Sequence, residues 1–203
     1  MKELQKSFTS TDIIFNKNTN ELNIDNNKIT ICIEFVNISI MTEKEIRSTV
    51  NQLIYAYASY KKDMNINLII SNINEISSYF TSGMENWKIP RIETSILNIN
   101  TNKNIIILSG DAEEVLEDIN NNEIYIIAGF ADRNRYKNYT KNLAENYNIK
   151  CKRLPIKENI KLKTSSILTL NQVFDVLVDY NNNRNWKHSF LENIPKRKIN
   201  NEI

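Results

Sequence analysis

Glycine is scarce in this sequence: Gly83, Gly110 and Gly129 are the only three in 203 residues. That scarcity removes two phosphate-binding devices, the GxGxxG dinucleotide turn and the GxxxxGK loop, which need glycine for close backbone approach. A Rossmann-type methyltransferase loses ground for the same reason. Histidine is represented by His188 alone. It has no partner at metal-ligand spacing, so it reads as a surface or packing residue and no metal is expected. The two cysteines, Cys32 and Cys151, stand far apart beside apolar runs without a CxxC. Buried free thiols in a reducing compartment are expected. Long apolar runs are missing as well: none approaches the roughly 20 residues of a membrane span. The N-terminus has neither a signal-peptide core nor an Arg-rich presequence, which predicts a soluble protein of nucleus or cytoplasm with no membrane partner. Hydrolytic chemistry has no support, since Ser109 lacks a nucleophile-elbow context and no Cys/His or paired-carboxylate motif accompanies it.

What is present is biased. Asn and Ile make up about a third of the chain, far above ordinary usage, as AT-rich codons produce. The length suits one α/β domain. Formal net charge is only +2, but it is unevenly spread. From Ala131 onward there are 15 Lys/Arg against 7 Asp/Glu, and before it 11 against 17. Such asymmetry suits a protein that lays one face on a phosphate backbone, or merely uneven solvated charge.

Residues 1–28 are polar and weakly periodic, a tail or small elaboration, and ordered structure is expected from Ile29. The run ITICIEF reads as a buried strand. Thr42 with Glu45 three residues on has the spacing of a capping box, followed by a helix with Ile46, Val50, Leu53, Ile54 and Tyr57 on one face. INLIIS, NIIILS and EIYIIAGF read as further strands. AEEVLEDI, YTKNLAENY and LNQVFDVLVDY read as helices, with KCKRLPI between the last two. Strands alternating with helices predict an α/β fold with a mainly parallel sheet flanked by helices. The domain is expected over 29–198, with 199–203 as a tail.

Ligands of open parallel sheets bind beyond the carboxyl ends of the strands. Gly110 follows IIILS and Gly129 follows YIIA, where a backbone can pass close to a ligand. The densest group of functional side chains is ADRNRYKN, with Asp132 among arginines. It fits either a helix N-cap with solvated neighbours or a carboxylate for proton transfer beside phosphate-holding arginines. Lys150 to Arg153 and Lys196 to Lys198 extend the basic half.

These segments, in the order IIILSGDAEEVL, IYIIAGFADRNRYKN, CKRLPI, ILTLNQVFDVL, then Trp and IPKRK, resemble the tRNA position-9 purine N1-methyltransferases of the SPOUT superfamily. The helix MTEKEIRSTVNQLIYAYASYKK resembles that family's first helix, and the match runs from Ile31 to Lys198. The resemblance implies a SPOUT fold with a C-terminal trefoil knot, an architecture no periodicity can show. It implies S-adenosyl-L-methionine as cofactor and tRNA as partner, with the enzyme acting as a monomer and room for a protein partner. The implied cofactor residues are Leu108, Ser109, Gly129, Asp132, Arg133, Asn134, Arg135, Tyr136, Thr140, Leu154, Leu168, Thr169 and Leu170. Asp132 falls on the family's proposed general base, and Gln52 and Glu34 on polar positions near the target base. RNA contacts are expected from Arg133, Arg135, Lys137, Lys141, Lys152 and Arg153. Ala128, Thr140 and Glu34 depart from the family pattern, which commonly has glycine, cysteine and aspartate there.

Guanine N1 carries a proton that must leave as the methyl arrives, whereas adenine N1 has a free lone pair. Retention of Asp132 therefore points to guanosine. The competing readings are a tRNA-binding scaffold in a processing complex and a small-molecule methyltransferase, the latter predicting no salt-sensitive RNA binding.

Overall fold

The computed structural model describes residues 15–16, 21–22, 24–130 and 135–200. Its centre is a seven-stranded sheet built from β3 (Thr30–Phe35), β4 (Asn67–Ser71), β5 (Arg91–Ile92), β6 (Asn104–Leu108), β7 (Glu114–Val115), β8 (Glu123–Gly129) and β9 (Lys150–Arg153). The strand order is β5-β4-β3-β8-β6-β9-β7, and every pairing in it is parallel. A separate antiparallel pair, β1 (Phe15–Asn16) and β2 (Glu21–Leu22), precedes it.

The central strands β3, β4, β6 and β8 read as largely apolar runs because both faces are covered. Side chains alternate between two buried clusters: Ile31, Ile33 and Phe35 of β3 join one, and Cys32 the other. Tyr125 and Ile127 of β8 divide from Ile124 and Ile126 in the same way. Helices α1 (Glu43–Lys62), α4 (Leu170–Asn183) and α5 (Trp186–Asn193) supply the first cluster through Leu53, Phe174 and Phe190. Helix α2 (Tyr139–Asn146) closes the second through Ala144, and the short α3 (Ile156–Asn159) follows β9. No helix among the described residues is long and apolar enough to cross a membrane.

Helix α1 begins as its sequence dictates. The Thr42 hydroxyl accepts from Glu45 N (3.3 Å), and the Glu45 carboxylate accepts from Thr42 N (2.8 Å). Its buried face includes Ile46, Val50 and Leu53.

Three expectations change. AEEVLEDI forms no helix: Glu114 and Val115 make β7 alongside Lys152 and Arg153 of β9, and Leu116 N donates to Arg153 O at 2.8 Å. An eight-residue helix is marginal alone, and the open edge of β9 offers backbone partners that the segment takes instead. Order also starts before Ile29, since Leu22 and Ile24 pack against the second cluster. At the other end Ile199, expected in a tail, is buried and bridges Leu162 in antiparallel fashion.

Candidate active site

The loops leaving β6, β8 and β9 meet α1 and the start of α4 around a cleft of about 1250 Å³. Parallel strands all point their carboxyl ends to this side, so the topology alone gathers segments distant in sequence. The sequence-predicted Leu108, Ser109, Tyr136, Thr140, Leu154, Leu168, Thr169, Leu170 and Gln52 line it, as do Lys137 and Arg153. Asp132, Arg133 and Asn134 lie outside the described residues. The described residues Phe130 and Tyr136, before and after them in the chain, line the cleft.

Cross-links hold the loops together. In the first loop, Ser109 N donates to Lys152 O at 3.0 Å, and the Asp111 carboxylate accepts from Asn138 N at 2.9 Å. Asp111 thus binds the residue that starts α2. Lys141 pairs with Glu113 across the same gap at 2.8 Å. In the second loop, Phe130 stacks on Tyr139 with ring centroids 4.9 Å apart. Arg135 reaches Glu45 at 2.6 Å and lies 5.3 Å from the Tyr136 ring centroid. Glu45 therefore serves twice, closing the first turn of α1 and holding the second loop. In the third loop, the Gln52 amide oxygen accepts from Leu170 N at 2.9 Å while its amide nitrogen donates to Ser48 at 3.3 Å. The first N–H of α4, orphaned by helix geometry, is thus satisfied by α1. Thr169 N is satisfied in turn by the Gln172 side chain at 3.1 Å.

Arg135, Gly129 and Glu34, expected to touch cofactor or base, do not line the cleft. A Cβ at Gly129 would fall 2.6 Å from Cδ1 of Phe35 and 3.3 Å from Glu34 O. Its missing side chain makes room for a buried ring, and Gly129 is not part of the cleft wall. Gly110, by contrast, lines the cleft with open space where a Cβ would be. Glu34 is also absent from the wall and is 1% exposed. It shares the sheet face of Cys32, two residues back, away from α1 and α4. Its carboxylate accepts from the Ser71 hydroxyl and from Ile96 N (3.2 Å), and Ser71 in turn contacts Cys32 Sγ at 3.0 Å. In this structure the Glu34 carboxyl is a buried partner of Ser71 and Ile96.

Burial lifts the Glu34 carboxyl above the usual carboxylate range, against the opposing hydrogen bonds from Ser71, Ser95 and Ile96. The folded chain therefore holds this proton more tightly than the unfolded one. The stability Glu34 contributes is complete below the ordinary glutamate range and is lost as pH rises through the raised value. Thermal melts of the Glu34→Gln variant across this window should lack the wild-type decline. Parallel pH profiles for the two proteins would refute that assignment.

Among the expected RNA contacts, Arg153 is engaged by Glu158 through two hydrogen bonds of 2.6 and 3.0 Å, and Lys141 by Glu113. Among the described residues Lys137 and Lys152 have no acidic partner within 4.0 Å. The Arg153–Glu158 and Lys141–Glu113 pairs each have a well-exposed carboxylate, so they contribute little to stability. The sequence reading missed Lys44, Arg47, Ser48 and Asn51, which also line the cleft. Their spacing of three and four along α1, a polar strip beside the buried face, is the signal that marks them.

A family model described as tRNA (guanine(9)-N(1))-methyltransferase TRM10/TRM10A matches residues 2–199. A tRNA (guanine(9)-N1)-methyltransferase of Schizosaccharomyces pombe is 32% identical over 168 residues, covering 78% of this chain and 55% of the relative. Its counterpart in Kluyveromyces lactis is 31% identical over 185 residues, covering 88% and 61%. The chain thus spans somewhat over half the length of these relatives. Among solved structures, spTrm10(Full length) in its SAH complex superimposes with a TM-score of 0.74 at 30% identity, covering 84% of this chain and 95% of that one. A dual specific Trm10 from Thermococcus kodakaraensis shares the fold with a TM-score of 0.63 at 18% identity, covering 81% and 99%. With its parallel sheet, its three strand-end loops and a family match across nearly its whole length, the chain belongs to the tRNA (guanine(9)-N(1))-methyltransferase family, TRM10/TRM10A.

Proposed function

We propose that this chain transfers the methyl group of S-adenosyl-L-methionine to N1 of guanosine at position 9 of tRNA. The observation that carries the proposal is the cleft where three strand-end loops converge, in a fold shared with a relative crystallised with SAH. Leu108, Leu154 and Leu168 offer an apolar bed for a flat base. The hydroxyls of Ser109 and Thr169 and the carboxylate of Asp111 offer partners for a ribose and an amino acid end. Such a wall, apolar with a few convergent polar groups, fits an adenosine-bearing ligand. When bound, that cofactor supplies an electrophilic methyl on a sulfonium. The trefoil knot belongs to this proposal, supported by the interleaved strand order β8-β6-β9-β7.

The work left to the chain is to present guanine N1 in line and to take its proton. Asp132 is the residue assigned to the proton, on the family resemblance of its loop. The target base must leave its stack at a cost of a few kcal/mol, which phosphate contacts on the basic half offset. The chain is proposed to act as a monomer in nucleus or cytoplasm. Incubating unmodified tRNA with the protein and S-adenosylmethionine, then digesting it for mass spectrometry, tests the whole reading. We expect 1-methylguanosine at position 9, and absence of both 1-methylguanosine and 1-methyladenosine would remove the enzyme assignment.

A further inference from the structure

Two segments far apart in sequence run together beside the third loop. Leu162 bridges Ile199, Lys163 N donates to Lys198 O at 2.8 Å, and Asn200 N donates to Lys161 O at 2.9 Å. The buried Ile199 and half-buried Leu162 face inward. Alternation along each segment turns Lys161 and Lys163 outward, and both are exposed. Lys196 and Arg197, in the turn just before, are exposed too. Residues 159–174 and 193–201 contain no Asp or Glu, so nothing within these segments neutralises the cluster. Against it lies a second cavity of about 440 Å³, whose wall includes Lys157, Lys161, Thr164 and Ser166. Ammonium and hydroxyl groups of this kind are hydrogen-bond donors suited to phosphate oxygens. Ile156, Lys157 and Ser166 belong to the walls of both cavities, so this shoulder is continuous with the proposed cofactor cleft.

We propose that this shoulder, centred on Lys161 and Arg197, seats the sugar-phosphate backbone of the tRNA whose base enters the neighbouring cleft. The assignment rests on the tRNA reading above. Like charges crowded on one surface repel one another, and a polyanion relieves that repulsion. The shoulder is also tied to the third loop directly, because Lys198 Nζ donates to Ile167 O at 2.5 Å. Backbone phosphates seated here would steady the segment that leads into Leu168, Thr169 and Leu170.

The test is binding of an unmodified tRNA transcript over a salt series, comparing wild type with the double variant Lys161→Ala/Arg197→Ala. Both side chains are exposed and neither lines the cofactor cleft. We expect the variant to bind about tenfold more weakly, with the slope of log affinity on log salt reduced by about 1 to 2. Calorimetric titration with S-adenosylhomocysteine should give the wild-type affinity, showing that the fold stands. A variant matching wild type in both tRNA affinity and salt slope overturns the site alone. A wild type with no salt-dependent tRNA binding overturns the tRNA reading and this site with it.

Discussion

Asp132→Asn lowers guanosine methylation by roughly 10²- to 10⁴-fold, the range a positioned general base contributes, while S-adenosylhomocysteine still binds. Asparagine keeps the size and shape of the side chain and removes only its capacity to take a proton. Guanine N1 is protonated at the start, so its lone pair becomes available only as that proton leaves. An adenosine at the same position presents a free lone pair and should be spared the loss. Phe130 stacks on Tyr139 on one side of the segment, and Arg135 is fixed by Glu45 on the other. Single-turnover methylation of two transcripts differing only in the purine at position 9, read by mass spectrometry, makes the comparison. An Asn variant that methylates guanosine at the wild-type rate would remove the base role from Asp132.

Gln52→Met weakens S-adenosylhomocysteine binding about tenfold, or about 1.4 kcal/mol, within the cost of leaving a half-buried N–H without its acceptor. The expectation follows from the bond Gln52 makes to Leu170 N at 2.9 Å, which anchors the third loop to α1. Gln52→Glu should restore affinity, because a carboxylate still accepts from Leu170 N and adds a charge favourable at a helix N-terminus. Had Gln52 acted on the target base, the Glu variant would lose kcat with cofactor affinity intact. Calorimetry beside steady-state kinetics on the two variants separates these outcomes. Loss of kcat in Gln52→Glu with unchanged affinity for S-adenosylhomocysteine would overturn the positioning role.

Much of the architecture was legible because the forces that shape it are local. Continuous apolar runs such as Ile31–Ile33 and Ile105–Ile107 are poorly solvated on either face, so they read as strands covered on both sides. The Thr42/Glu45 spacing marked the start of α1 because the box needs nothing beyond its own turn. AEEVLEDI failed for the opposite reason. Its fate was decided by the free edge of β9, whose paired residues lie 38 positions away in the chain and are invisible to any local pattern.

The site divides in the same way. Composition and pattern were sufficient for the class of fold, the strand-end loops and the basic C-terminal half. The ordered motifs were sufficient for the family and for Asp132 as the residue to test. Side-chain assignments required the tertiary structure. Glu34 and Gln52 are both polar residues on regular elements, and their sequence contexts do not distinguish them. Pleating turns Glu34 onto the far face of the sheet toward Ser71 and Ile96, whereas the crossing of α1 and α4 carries Gln52 to an orphaned N–H in the cleft. Gly129 reads as a glycine for close ligand approach, and only the structure shows that Phe35 also fills the space its side chain would take. Local chemistry writes strands, caps and charge into the sequence, but which side of a sheet a carboxylate faces and which helix end an amide reaches depend on long-range packing.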